Sequence, residues 1–164
     1  MNKSDKKQII CEYWETPVVN HQFLWLSQQL YTEMNNYFFF ENDVDGPTDP
    51  IYVMCIRTRE TFKISDETES ANRIFELTKN KKETSGRKRG LTFKVWNTPF
   101  AIEVCSGLKI SSEEYDQMEK FQYIVSTQDE TIEFVTFSPP TWEIYEGIKL
   151  EDLVIQYVKK DSLD

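Results

Sequence analysis

Leu91-Thr-Phe-Lys-Val-Trp96 places Leu91, Phe93 and Val95 on one side and Thr92 and Lys94 on the other, the period of two that marks a half-buried strand. Asn97-Thr-Pro99 supplies turn chemistry, and Phe100-Ala-Ile-Glu-Val104 resumes the alternation, so the two runs are expected to pair as an antiparallel hairpin. Ser111-Ser-Glu-Glu114 has capping-box spacing and predicts a short helix with Tyr115, Met118 and Phe121 facing inward. Gln122–Ser126 and Thr131–Phe137 flank the polar loop Thr127-Gln-Asp-Glu130 as a second hairpin, which Ser138-Pro-Pro140 ends because proline cannot donate to a ladder.

Outward from this unit, Ile51-Tyr-Val-Met-Cys-Ile56 is continuously apolar, as expected of a central strand covered on both faces. Thr61-Phe-Lys-Ile-Ser65 alternates and predicts a hairpin partner or a bent continuation of that strand. Thr16-Pro17 reads as a helix start, and Phe23, Leu26, Leu30, Met34 and Tyr37 follow at helical spacing, predicting a helix to about Phe38. A second helix is predicted after Ser65-Asp66, with Ala71, Ile74, Phe75 and Thr78 on one side. Leu150, Leu153, Val154, Tyr157 and Val158 make the clearest amphipathic pattern in the chain, reached through Trp142-Glu-Ile-Tyr-Glu-Gly147. That terminal helix is expected to lid the sheet. The class is therefore α+β: a mostly antiparallel sheet of about six strands with helices packed on it and an amphipathic helix at the C-terminus. Residues 1–15 read as a polar lead-in and residues 16–160 as a single domain with an exposed basic loop at 79–90. The strand–strand–helix–strand–strand order with a terminal helix resembles the small OB-type subunits of single-strand-binding and telomere-capping complexes. Strands closed by a C-terminal helix equally resemble a PH-like barrel.

At 164 residues, with 39% hydrophobic and 14% aromatic residues, the chain is one ordinary domain able to bury a core. That aromatic load excludes a disordered chain, and 5 glycines and 6 prolines exclude Gly- or Pro-rich low complexity. Cys11, Cys55 and Cys105 are odd in number and widely spaced, as expected of buried, reduced thiols. With no signal-peptide pattern and no long apolar run, the expectation is an intracellular protein, cytoplasmic or nuclear, with no membrane partner.

Charge carries most of the functional information. The net charge is −9, yet Lys79, Lys81, Lys82, Arg87, Lys88 and Arg89, opposed only by Glu83, give residues 79–89 a local +5. With −9 overall and +5 here, the rest of the chain carries −14. A body this acidic favours basic protein partners and repels nucleic acid over most of its surface. The basic loop has three readings: a solvated loop, a nuclear-import or nucleic-acid patch, or a phosphorylation segment in which Thr84 or Ser85 acts beside Arg87 and Lys88. Trp25, Trp96 and Trp142 are the candidate partner-binding residues, because large aromatics are preferred interface anchors.

Chemistry is sparse. One histidine, His21, and dispersed cysteines make no zinc constellation and no nucleophile–His–acid motif. Glu41, Asp43, Asp45, Gly46 and Asp49 imitate the first part of a calcium loop, but the twelfth position is Tyr52 in place of glutamate and two prolines intervene, so an acidic turn is the better reading. Ser106-Gly-Leu-Lys109 matches SxxK without its companion motifs. No catalytic residue, metal ligand or cofactor site is assigned. The expected function is a non-enzymatic interaction module, an acidic complex subunit or an inhibitor- or immunity-type protein that binds a basic protein. The alternatives are an accessory subunit of a nucleic-acid complex, with the basic loop on the backbone and Phe93, Trp96 or Tyr123 near bases, and a small enzyme without a recognisable motif. Oligomeric state is left open.

Overall fold

The computed structural model describes residues 10–19, 21, 23–42, 49–57, 61–66, 92–96, 98–109, 111, 113, 122–136 and 138–162. Among them are nine strands: β1 (Ile10–Tyr13), β2 (Trp25–Tyr31), β3 (Asn35–Glu41), β4 (Ile51–Arg57), β5 (Thr61–Asp66), β6 (Thr92–Trp96), β7 (Gln122–Ser126), β8 (Glu130–Val135) and β9 (Thr141–Tyr145). Two helices join them, α1 (Pro99–Gly107) and α2 (Leu150–Asp161). The strands form two sheets, β1-β6-β7-β8-β5 (sheet A) and β2-β3-β4-β9 (sheet B), and every pairing is antiparallel. The class is α+β with mostly antiparallel strands. Neither sheet closes on itself among the described residues, each having two edge strands.

Alternation places the core between the sheets. Phe38, Phe40, Tyr52, Met54 and Ile56 from sheet B meet Tyr123, Val125, Ile132 and Phe134 from sheet A, with Phe62, Ile64 and Trp142 at the margin. The intervening residues of β3 and β4 point the other way, yet Tyr37, Phe39, Ile51 and Val53 are buried too, because Leu153 and Tyr157 of α2 cover them. This explains why Tyr37-Phe-Phe-Phe40 is apolar without a break: β3 is central in its sheet and has packing on both faces.

The same explanation corrects the helix expected from Thr16 to Phe38. Thr16-Pro17 opens only a turn, Val19 N–H reaching Thr16 O at 3.2 Å, and from Trp25 onward the chain forms the β2–β3 hairpin. Apolar residues at i, i+3 and i+4 here come from strands with different registers, one of them bulged between Leu26 and Gln28. Thr32 closes the hairpin: its hydroxyl accepts from Asn35 N–H at 3.0 Å and its own N–H bonds Asn35 O at 2.9 Å. Thr127 repeats the device at the expected β7–β8 hairpin, accepting from Glu130 N–H at 3.1 Å.

A second correction concerns Phe100–Val104. These residues belong to α1, not to a strand paired with β6. The Thr98 side chain caps the helix, accepting from Ala101 N–H at 3.3 Å, and Pro99 sits in its first turn; a cap followed by proline outweighs a three-residue alternation. β6 instead pairs with β1 and β7, so part of the expected lead-in is a strand. β5 likewise pairs with β8 in sheet A and is not a hairpin partner of β4. Thr141–Tyr145, expected to be only an approach to the last helix, is β9, paired with β4. Unread β1, β2, β3 and β9, less the expected strand at Phe100–Val104 that is helical, account for nine strands in place of about six. α2 forms as expected and lids sheet B. The helix expected after Ser65-Asp66 and the loop at 79–90 lie outside the described residues, as does all of Ser111–Phe121 except Ser111 and Glu113.

Truncating the centre of the sandwich should test this packing directly. Phe38→Ala and Phe134→Ala, both fully buried, are expected to cost about 3–5 kcal/mol each in denaturant titrations. Ile155→Ser, on the half-exposed outer side of α2, should stay within about 0.5 kcal/mol of the parent.

Candidate functional site

The three candidate tryptophans are not brought together. Trp25 begins β2, half-buried at one edge of sheet B and opposite Glu41. Trp96 ends β6 in sheet A, opposite Ile10. Trp142 lies on β9, the other edge of sheet B, with its ring 5.6 Å from Phe40 and 5.9 Å from Trp14. Lys79, Lys81, Lys82, Arg87, Lys88 and Arg89 lie outside the described residues, as do Thr84, Ser85 and residues 43–48 of the acidic turn. Among the described residues no group of three or more His, Cys, Asp or Glu side chains is arranged to hold a metal ion. No helix among them is long and apolar enough to cross a membrane. Phe93 and Tyr123, named above as possible base-stacking residues, are buried. Cys11 and Cys105 are buried and Cys55 is partly so, none of them in a disulfide, and burial pushes the thiols of Cys55 and Cys105 above the usual thiol range.

Of the three tryptophans, Trp142 marks the surface with the most chemistry. β9 is paired with β4 on one side and is the last strand of sheet B among the described residues. Its sequence Thr-Trp-Glu-Ile-Tyr alternates, so Trp142 and Ile144 share the core-side face while Thr141, Glu143 and Tyr145 share the face under α2. Trp142 is anchored by its ring contacts, but Ile144, opposite Tyr52, remains 52% exposed. Carboxylates lie near this end of the strand. Glu146 is exposed just beyond Ile144 and Glu143 is exposed on the opposite face, and Asp49 and Glu146 lie near enough to the Tyr52 hydroxyl to add to the effect of burial in raising its pKa. Asp49 Oδ2 is shielded from solvent and has no hydrogen-bond donor among the described residues. Glu151 and Asp152 follow, exposed in the first turn of α2, with Lys149 the intervening cation. His21 packs edge-on against Tyr52, ring centroids 4.9 Å apart. Residues 141–145 have the period-two signature of a strand, so this surface could have been found from the alternation that follows Pro139-Pro140.

Beneath β9 a tyrosine–carboxylate cluster fixes α2. Tyr157 Oη donates to Glu143 Oε2 at 2.7 Å and lies 2.9 Å from Tyr145 Oη, which also bonds Glu143. Tyr37 Oη donates to Asp161 Oδ1 at 3.0 Å and accepts from Asn35 Nδ2 at 3.1 Å. The two phenol donors hold the Glu143 carboxyl below the usual glutamate range. Burial, reinforced by bonds to carboxylates or phenols, pushes Tyr157 and Tyr37 well above the usual tyrosine range. In sheet A a separate buried chain runs from Thr98 through Gln122, whose Nε2 reaches Glu133 Oε2 at 3.5 Å; it ties the α1 cap to the sheet.

No protein-family model matches the chain, and no curated protein or solved structure matches it either.

The cluster predicts stability losses at both ends of the pH scale. Glu143 has a folded pKa below its unfolded value, so its contribution is complete above about pH 4.3 and is lost as pH falls through the folded pKa. Tyr157 and Tyr37 have raised folded values, so theirs is complete below about pH 10 and declines as pH rises past the unfolded tyrosine pKa. Denaturation midpoints measured across pH should fall in both limbs. Tyr157→Phe should cost about 1–2 kcal/mol at neutral pH and make the alkaline limb shallower.

Proposed function

We propose that this protein is a non-catalytic interaction module, an acidic complex subunit or an inhibitor- or immunity-type protein, that binds a basic protein partner. The observation that carries the reading is the exposed Ile144 on β9, the last strand of sheet B among the described residues, opposite Tyr52 whose hydroxyl Asp49 and Glu146 approach, with Glu143 exposed on the other face of the strand. A half-exposed isoleucine beside an anchored tryptophan offers apolar area at the centre of a contact, and a carboxylate rim selects the sign of the partner. The net charge of −9, with −14 outside residues 79–89, supports the same polarity over the longer range that steers encounter. A nucleic-acid role has less support: Phe93 and Tyr123 are covered, and an acidic surface opposes approach of a phosphate backbone.

Capture with the full chain as bait, followed by purification of the bound protein and titration of the pair at rising salt, tests the reading. The expected partner has a basic surface, and its dissociation constant should weaken by about tenfold or more between about 0.05 and 0.5 M salt. Capture of no basic protein, or binding indifferent to salt, overturns it.

A further inference from the structure

We infer that β9, whose outer edge has no strand partner among the described residues, accepts an antiparallel β-strand from the partner, and that the accepted segment has the pattern apolar–basic–apolar. The inference rests on the proposed preference for a basic partner and adds the place, geometry and residue pattern of the contact.

The two edges of sheet B are not equivalent. β2 carries a bulge between Leu26 and Gln28, a device that twists an edge away from further pairing. β9 keeps an unbroken register with β4 from Thr141 to Tyr145, and its Thr141, Glu143 and Ile144 side chains are exposed. A regular strand with a neighbour on one side leaves a row of N–H and C=O groups directed outward, which an extended segment completes. The sheet is antiparallel throughout, so an antiparallel arrival continues its ladder.

Register then dictates chemistry. A residue opposite Glu143 stands on the face beneath α2, beside a carboxylate kept ionised by the Tyr145 and Tyr157 hydroxyls, and is best a lysine or arginine. Its two neighbours turn to the opposite face, next to Trp142 and the exposed Ile144, and are best apolar. Glu146 and Asp49, at the Ile144 end, add attraction for a cationic segment. A second copy of this chain fits poorly. Self-pairing that overlaps all of β9 would centre on Glu143 and set two carboxylates directly opposite each other, which destabilises a sheet pair.

The probes are two capped five-residue peptides, Thr-Val-Lys-Val-Thr and Thr-Val-Glu-Val-Thr, titrated into the full chain at low salt and followed by NMR shifts and amide exchange. The lysine peptide should bind about tenfold more tightly than the glutamate peptide and should slow exchange of amides in β9 but not in β2. Glu146→Lys and Ile144→Ser, both at exposed positions, should each weaken the lysine peptide about threefold or more without altering melting. They avoid Glu143, whose replacement would also disturb the α2 cluster. No binding of the lysine peptide at millimolar concentration, equal binding of the two peptides, or protection elsewhere than β9 overturns the inference. A basic partner that binds with salt sensitivity yet leaves β9 exchange unchanged overturns strand addition and leaves the basic-partner reading standing. Protection of β9 by the lysine peptide when no basic protein is captured does the reverse.

Discussion

Aromatic contact across the gap between the two sheets is what the structure depends on. Trp14, Tyr123 and Phe134 form one set of touching rings and Phe40, Trp142 and Trp14 another, so Trp14 belongs to both. Rings of this size bury much area with little loss of side-chain freedom, and their tilted and edge-on contacts add directionality that aliphatic packing lacks. Trp14 stands where the chain leaves sheet A for sheet B. Its N–H meets Thr92 O at 3.0 Å and its carbonyl accepts from the Thr92 hydroxyl at 2.7 Å, so backbone and ring are held together. The connector beyond it buries Val18, Val19 and Leu24 before β2 begins.

The second layer of organisation is the double cover of sheet B. One face meets sheet A and the other meets α2, so the central strands β3 and β4 have almost no wet side chain. The helix is fixed by more than apolar contact, because Tyr145, Tyr157, Glu143, Tyr37 and Asp161 form a partly shielded polar seam along its inner side. A seam of this kind orients a helix that hydrophobic contact alone would leave free to slide. It also links the folded position of α2 to the ionisation of Glu143, a residue that stays solvent-exposed on β9 beside the helix.

What the sequence revealed depended on whether one element explained each local pattern. β4 was readable from an unbroken apolar run, and β6, the β7–β8 hairpin and α2 because one local pattern ran through each. The β2–β3 hairpin was not, because the bulge at Leu26/Gln28 and the two-sided burial of Phe38, Phe39 and Phe40 produce a stripe that imitates a helix. α1 was misread although Thr98-Pro99 announces a helix start; three apolar residues at alternate positions suit a short helix equally well. The candidate site was partly visible in Trp142 and the acidic balance. Its decisive property was not: whether a strand is central or at an edge depends on pairings between distant segments, and no local window contains them.

The strand order also sets the sequence of events as the chain folds. β1 finds its only described strand partner in β6, with Ile10 opposite Trp96, while β4 awaits β9 and β5 awaits β8. Among the described residues, β2–β3, β3–β4 and β7–β8 join consecutive strands with no described helix between them, and β6–β7 pairs across α1. During synthesis the β2–β3–β4 meander is therefore available early, with both of its apolar faces uncovered until β6, β7, β8 and α2 arrive from the later half. Long-range closure of this kind slows folding and lengthens exposure of sticky intermediates. The acidic character of the chain then acts before any native surface exists, keeping unfinished copies apart while the last strand and helix emerge.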